Sequence, residues 1–109
     1  MFLGEHKHTI DAKGRVVMPS SLRRDLENGL VTTKGLDRCV AVFTNAGFAA
    51  EAARLSQHEW TEQSSREFSR TFYGAATDAP LDAHGRLFLP PALRAYAGLD
   101  REVVIVGVN

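Results

Sequence analysis

Asp11-Ala12-Lys13-Gly14-Arg15 returns 71 positions later as Asp82-Ala83-His84-Gly85-Arg86, and this repetition constrains the fold more than any other feature of the 109-residue chain. At the same offset Pro19, Leu22 and Arg23 recur as Pro90, Leu93 and Arg94, which makes seven identities in thirteen positions. Val16, Val17 and Met18 stand against Leu87, Phe88 and Leu89, so the apolar pattern recurs as well. A folding unit is repeated, and the rest of the chain is a copy of it or a connection between copies.

The unit's local physics is legible. An Asp at the first place of a four-residue turn accepts the backbone N–H two residues on, and a Gly at the fourth takes positive φ, so Asp11 to Gly14 and Asp82 to Gly85 read as tight turns of β-hairpins. Arg15 to Met18 is an apolar strand that Pro19 stops while pre-setting φ for a short helix over Ser20 to Glu27; Pro90 does the same in the second copy. Leu22 and Leu26, four apart, mark the buried face of that helix, with Leu93 and Ala97 as counterparts, and Gly29 and Gly98 supply left-handed helix ends. An apolar strand is expected beyond each Gly, at Val40 to Phe43 and at Val103 to Val106.

Halves of about 40 residues are too small to hold separate cores, so the two must share one. The composition, 44% hydrophobic and 24% charged, is that of an ordinary globular protein. No apolar run reaches the ~18 residues of a membrane span, and the N-terminus does not read as a signal peptide, so the chain is expected in the cytosol. The single Cys39 lies on an expected strand and reads as a small buried hydrophobe. A net charge of zero argues against indiscriminate coating of polyanions. Residues 1–25 nevertheless hold five basic groups (Lys7, Lys13, Arg15, Arg23 and Arg24) against three acids, whereas residues 46–69 hold two against four.

In chain order, Phe2 to Ile10 reads as a first strand, with His6, His8 and Ile10 on one side and Lys7 and Thr9 on the other. Asn45 is placed to cap a helix with Phe48, Ala52 and Leu55 inward, ending near Trp60. Ser64 to Glu67 has the form of a capping box opening a second helix, in which Phe68 and Phe72 form an i, i+4 pair and which Gly74 closes. Ala75 to Pro80 reads as a short connection, and the helices that follow the first copy have no equivalent after the second.

Three chemistries compete for the repeated turns. In the first, Asp11 and Arg15 merely brace the hairpin with an ion pair worth less than about 1 kcal/mol. A turn does not need Arg after its Gly, however, and both copies have one; beside Lys13 or His84 it gives a projecting tip suited to phosphates or guanine edges. The second chemistry is a shared-proton aspartyl pair, Asp11 with Asp82; this wants Thr or Ser and then Gly after each Asp, where Ala stands here. The third, metal binding by His6 and His8, lacks a nearby Cys or carboxylate set. No Gly-rich phosphate loop and no nucleophile with a positioned base is present, so neither an enzyme nor a cofactor is expected. Arg23 and Arg94 read as a solvated helix face, with a neighbouring subunit's carboxylates as the alternative, and Arg66 and Arg70 as ordinary surface.

Met1-Phe2-Leu3-Gly4, the paired Asp-x-x-x-Arg of Asp11/Arg15 and Asp82/Arg86, the Met18-Pro19 and Leu89-Pro90 junctions, Gly35-Leu36-Asp37 and Val104-Ile105-Val106-Gly107 together resemble the MraZ family over essentially the whole chain. The resemblance implies an α+β fold of two tandem SpoVT-AbrB-like swapped-hairpin units related by pseudo-twofold symmetry, sharing one core and joined by two helices. The units are placed at residues 5–48 and 77–109, with residues 49–76 as the helical connection and a C-terminal helix of the family missing after the last strand. It further implies a cytoplasmic, nucleoid-associated transcriptional regulator that assembles into a ring and binds direct repeats in duplex DNA upstream of its own cell-division and cell-wall gene cluster, usually repressing it. Such a protein has neither a membrane nor a small-molecule partner.

On this reading Arg15 is the expected base-edge contact and Lys13 and Lys7 the phosphate contacts. Arg86, preceded by His84, is a second DNA contact that serves more in assembly or orientation. Asp11, Gly14, Asp82 and Gly85 shape the turns. The rivals are a structural assembly protein that does not bind DNA and an AbrB-like antitoxin-type interaction protein.

Overall fold

The computed structural model describes residues 2–57 and 62–108. The described residues form an α+β fold with short antiparallel sheets and four helices. Its first half runs β1 (Glu5–Thr9), β2 (Arg15–Val17), α1 (Ser20–Leu26), β3 (Leu30–Lys34), a single 3-10 turn (Leu36–Arg38), β4 (Val40–Thr44) and α2 (Asn45–Leu55). Then come α3 (Gln63–Gly74), β5 (Thr77–Ala79), β6 (Arg86–Phe88), α4 (Pro91–Ala97) and β7 (Glu102–Val106).

The strands pair across the halves more than within them. β1 lies antiparallel to β7, with Lys7 facing Val104, and β2 lies antiparallel to β6, with Val16 facing Leu87. The expected hairpin survives only at its neck, where Ile10 bridges Val16 and the Asp11 N–H bonds the Arg15 carbonyl at 2.8 Å. Beyond the neck each strand is drawn to a partner in the other half. The β2–β6 pairing is unchanged when the copies are exchanged: Arg15 faces Phe88 and Val17 faces Arg86. Just outside it, Met18 donates to the Gly85 carbonyl and Leu89 to the Gly14 carbonyl, both at 2.9 Å.

One core therefore serves both halves. Ile10, Val16, Met18, Leu22, Leu26, Leu30, Leu87 and Leu89 form a single buried cluster, and Leu93 is buried as well. At ~1.5–3 kcal/mol for each fully buried large apolar side chain, this cluster is the main force closing the ribbon. α1 and α4 each start directly behind a proline, as the sequence predicts, and α4 ends on a left-handed Gly98. Gly29 also has positive φ, but it lies two residues beyond the α1 cap, Glu27.

Several local expectations are corrected. The strand after Gly29 is β3, and the Val40 run forms β4 beside it. β3 is central, between β4 and β5, so part of the Ala75 to Pro80 connection is a strand. Thr44, not Asn45, caps α2, its hydroxyl accepting the Gly47 N–H at 2.8 Å. α2 ends at Leu55, and Trp60 lies outside the described residues. α3 begins at Gln63, so Ser64 falls inside its first turn and no capping box forms. Cys39 is exposed, because it leaves the 3-10 turn ahead of β4 and points its thiol back at the Leu36 carbonyl, 3.1 Å away.

α2 and α3 cover one side of β3 with an aromatic cluster. Phe48 stacks on Phe72 at 5.2 Å, Phe68 on Phe72 at 5.7 Å, and Phe43 meets Phe72 edge-on at 5.8 Å. Beneath it Thr33, fully buried, donates its hydroxyl to the Phe72 carbonyl. β7 has no such cover: Val104 and Val106 are each more than half exposed.

Candidate nucleic-acid interface

Each repeated turn is built on its aspartate. Asp11 Oδ1 accepts the backbone N–H groups of Lys13 and Arg15, both at 2.9 Å, and Oδ2 accepts Nε of Arg15 at 2.9 Å. Asp82 Oδ1 accepts from His84 at 2.9 Å and Arg86 at 2.8 Å, and its Oδ2 accepts Nε of Arg86 at 2.6 Å. Gly14 and Gly85 donate back to the Asp11 and Asp82 carbonyls at 3.0 Å and adopt φ of +83° and +72°, the left-handed conformation that favours glycine. The Arg15 N–H, followed by its side chain, holds the Asp11 carboxyl below its ordinary value. The corresponding N–H of Arg86 lowers Asp82 to about 2. Both carboxylates are charged at neutral pH and keep the guanidiniums aimed.

Alternation along β2 and β6 sorts the side chains by face. Val16 and Leu87 point into the core; Arg15, Val17, Arg86 and Phe88 share the outer face. Arg15 and Arg86 are diagonal neighbours across the ribbon, a placement of about 7–8 Å. Each arginine side chain keeps 27% of its surface exposed, enough to be reached by a ligand. Among the described residues each is bonded through Nε alone, so the four N–H groups on Nη1 and Nη2 remain available. Lys13 and His84 sit exposed on the turns beside them.

Lys7 is not part of this face. It is exposed on the β1–β7 sheet, about 13 Å along the strand from Asp11. His6 and His8 are half-buried on the opposite side of β1, and no metal-holding group of three His, Cys, Asp or Glu side chains occurs among the described residues. Asp11 and Asp82 are each occupied by their own arginine, an arrangement that leaves no shared proton between them.

Arg23 and Arg94 correct the sequence reading. They are half-buried, not a solvated face: Nε of Arg23 donates to the Met18 carbonyl and Nε of Arg94 to the Leu89 carbonyl, each at 2.9 Å. A β-carbon built on Gly85 would lie 2.6 Å from Arg23 Nε, and one on Gly14 would lie 3.0 Å from the Arg94 guanidinium. Arg66 is also half-buried, whereas Arg70 is exposed as expected. Val17 and Phe88 belong to this face beyond the residues expected from the sequence; their alternation with Val16 and Leu87 is the signal that places them beside the arginines.

Fold and site define an internally duplicated α+β protein that displays a braced arginine pair on a two-stranded ribbon. The chain belongs to the MraZ family: the family model described as "MraZ protein, putative antitoxin-like" matches residues 1–71 and 72–109. It is 46% identical over 109 residues to the transcriptional regulator MraZ of Moorella thermoacetica, covering 100% of this chain and 76% of that protein. The protein of the same name from Symbiobacterium thermophilum is 45% identical over 107 residues, covering 98% and 78%. That from Parafrankia is 46% identical over 109 residues, covering 100% and 76%. These relatives are named as regulators, and the family is not enzymatic.

Proposed function

We propose that this chain is a transcriptional regulator that binds duplex DNA with the outer face of the β2–β6 ribbon. The observation that carries the reading is the pair Arg15 and Arg86, each fixed by a carboxylate with its Nη groups unengaged, on one face of a ribbon. A two-stranded ribbon fits the ~12 Å major groove, and the free fork of an arginine matches O6 and N7 of guanine. Lys13 and His84 contact flanking phosphates, and Lys7 reaches the backbone from the neighbouring sheet. Val17 and Phe88 supply apolar contact with thymine methyl groups.

The target is a set of direct repeats in the promoter of the chain's own cell-division and cell-wall gene cluster, which it represses from the cytoplasm as a nucleoid-associated protein. The two halves, residues 5–48 and 77–109, are read as swapped-hairpin units joined by residues 49–76. With a net charge of zero, one chain binds weakly. Several chains on a ring make contact with successive repeats intramolecular, and avidity supplies the affinity. Uncovered apolar surface supports assembly: Val104 and Val106 are exposed on β7, whose second edge carries no strand among the described residues.

The test is binding to the duplex immediately upstream of the gene over a salt titration. A reader loses affinity steeply with salt, with a slope that counts phosphates. A scaffold or protein-binding antitoxin-like module shows no duplex binding even in dilute buffer, and that result overturns the proposal.

A further inference from the structure

The seven repeated identities include Arg23 and Arg94, which neither close a turn nor fill the core. Each arginine instead ends a relay of two hydrogen bonds that crosses from one half to the other. The Gly14 carbonyl accepts from the Leu89 N–H at 2.9 Å, and the Leu89 carbonyl accepts from Arg94 Nε at 2.9 Å. In the mirror relay the Gly85 carbonyl accepts from the Met18 N–H, and the Met18 carbonyl from Arg23 Nε, again at 2.9 Å each. The guanidinium of each arginine also lies where a side chain of the facing glycine would be, so it packs directly on the turn.

We propose that Arg94 and Arg23 are positioning residues that act across the halves: Arg94 holds the turn carrying Lys13 and Arg15, and Arg23 holds the turn carrying His84 and Arg86. Nearest in sequence, Arg23 follows the first turn by only nine residues, yet it packs on the second. Lysine is a point donor without the planar fork, so it keeps the charge but cannot both reach the carbonyl and cover the glycine. The consequence for DNA rests on the ribbon reading above; the crossed support of the turns does not.

The experiment follows amide hydrogen exchange in the full chain without DNA. In Arg94→Lys the Lys13 and Arg15 amides, which bond Asp11, exchange at least about tenfold faster, while those of His84 and Arg86 keep their rates; Arg23→Lys gives the reverse pattern. Should Arg94→Lys fail to fold, Arg94→Gln is measured in its place. Loosening of the turn in the mutated half, or equal loosening of both, overturns the proposal.

Binding to the upstream duplex at low salt adds the functional arm. The loss caused by Arg94→Lys shrinks in an Arg15→Ala background, where only Lys13 is left on that turn to misplace, and persists undiminished in an Arg86→Ala background; a loss undiminished in both is general destabilisation and counts against positioning. Wild-type protein that binds no duplex sinks the DNA reading, and the exchange pattern still decides the crossed support.

Discussion

Arg15 and Asp11 are joined twice, main chain to Oδ1 and guanidinium to Oδ2, each at 2.9 Å. The carboxylate that closes the turn is therefore also the group that aims the arginine. Arg15→Ala removes the aimed group and leaves the turn's backbone bonds intact. A bidentate base contact is worth about 1–3 kcal/mol. Affinity for the promoter duplex is expected to fall about 5- to 150-fold, with the retarded band lost at physiological salt. The ion pair is solvent-exposed and screened, so little stability is expected to be lost and the melting temperature is expected to change little. Gel shift, light scattering and circular dichroism check the three parts; undiminished binding refutes the role, and the oligomer is expected to stay intact.

Acid should loosen the turns within a defined window. Asp82 sits at about 2 in the folded chain, below its ordinary 3.8. A depressed folded value means that the contribution is complete above the unfolded value and is lost as pH falls through the folded one. Stability from this group is thus expected to be constant above pH ~5 and to decline between about 4 and 2. Asp11, shifted the same way, adds to the slope. Urea midpoints measured from pH 2 to 6 should show a shallower acid decline in Asp82→Asn than in the parent chain.

Two glycines with similar backbone angles separate strain from space. Gly98 has φ of +65° with nothing within 4 Å of an added β-carbon, whereas Gly85 has φ of +72° and Arg23 at 2.6 Å. Gly98→Ala is expected to cost about 1–2 kcal/mol for the left-handed conformation alone. Gly85→Ala adds displacement of Arg23 and is expected to reach about 2–4 kcal/mol. Chemical denaturation measures both, and equal costs contradict the packing of Arg23 on the turn.

The two faces of the ribbon should respond oppositely to truncation. Leu87 is 1% exposed at the centre of the shared core, and Phe88 next to it is 47% exposed. Leu87→Ala is expected to destabilise by about 2–5 kcal/mol. Phe88→Ala should stay within about 0.5 kcal/mol of the parent in stability and show its effect in DNA affinity.

The turns, the proline-started helices, the aromatic helical pair and the need for a shared core were legible because they depend on neighbours close in sequence or on the repeat itself. The partners of the strands were not. β2 and β1 are joined by a tight turn, the usual mark of a full hairpin, but burial of Val16 against Leu87 favours β6 as the partner. Thr77-Asp78-Ala79 has no apolar run that would mark it as β5; the edge of β3 recruits it. The repeat flagged Arg23 and Arg94, but a repeat says only that a residue recurs, and their contact lies with the opposite copy. Cys39 followed the wrong rule because the 3-10 turn before it, with Asp37 and Arg38 at positive φ, delays the strand and carries the thiol outward.

The β2–β6 ribbon takes one strand from each copy, so a lone copy has an orphan strand and a turn without its supporting arginine. Two unlinked copies complete each other only by meeting in solution, at a rate and yield set by dilution. The covalent connection turns that encounter into a unimolecular closure with its own effective concentration. The ribbon's integrity is thereby independent of how many molecules the cell contains.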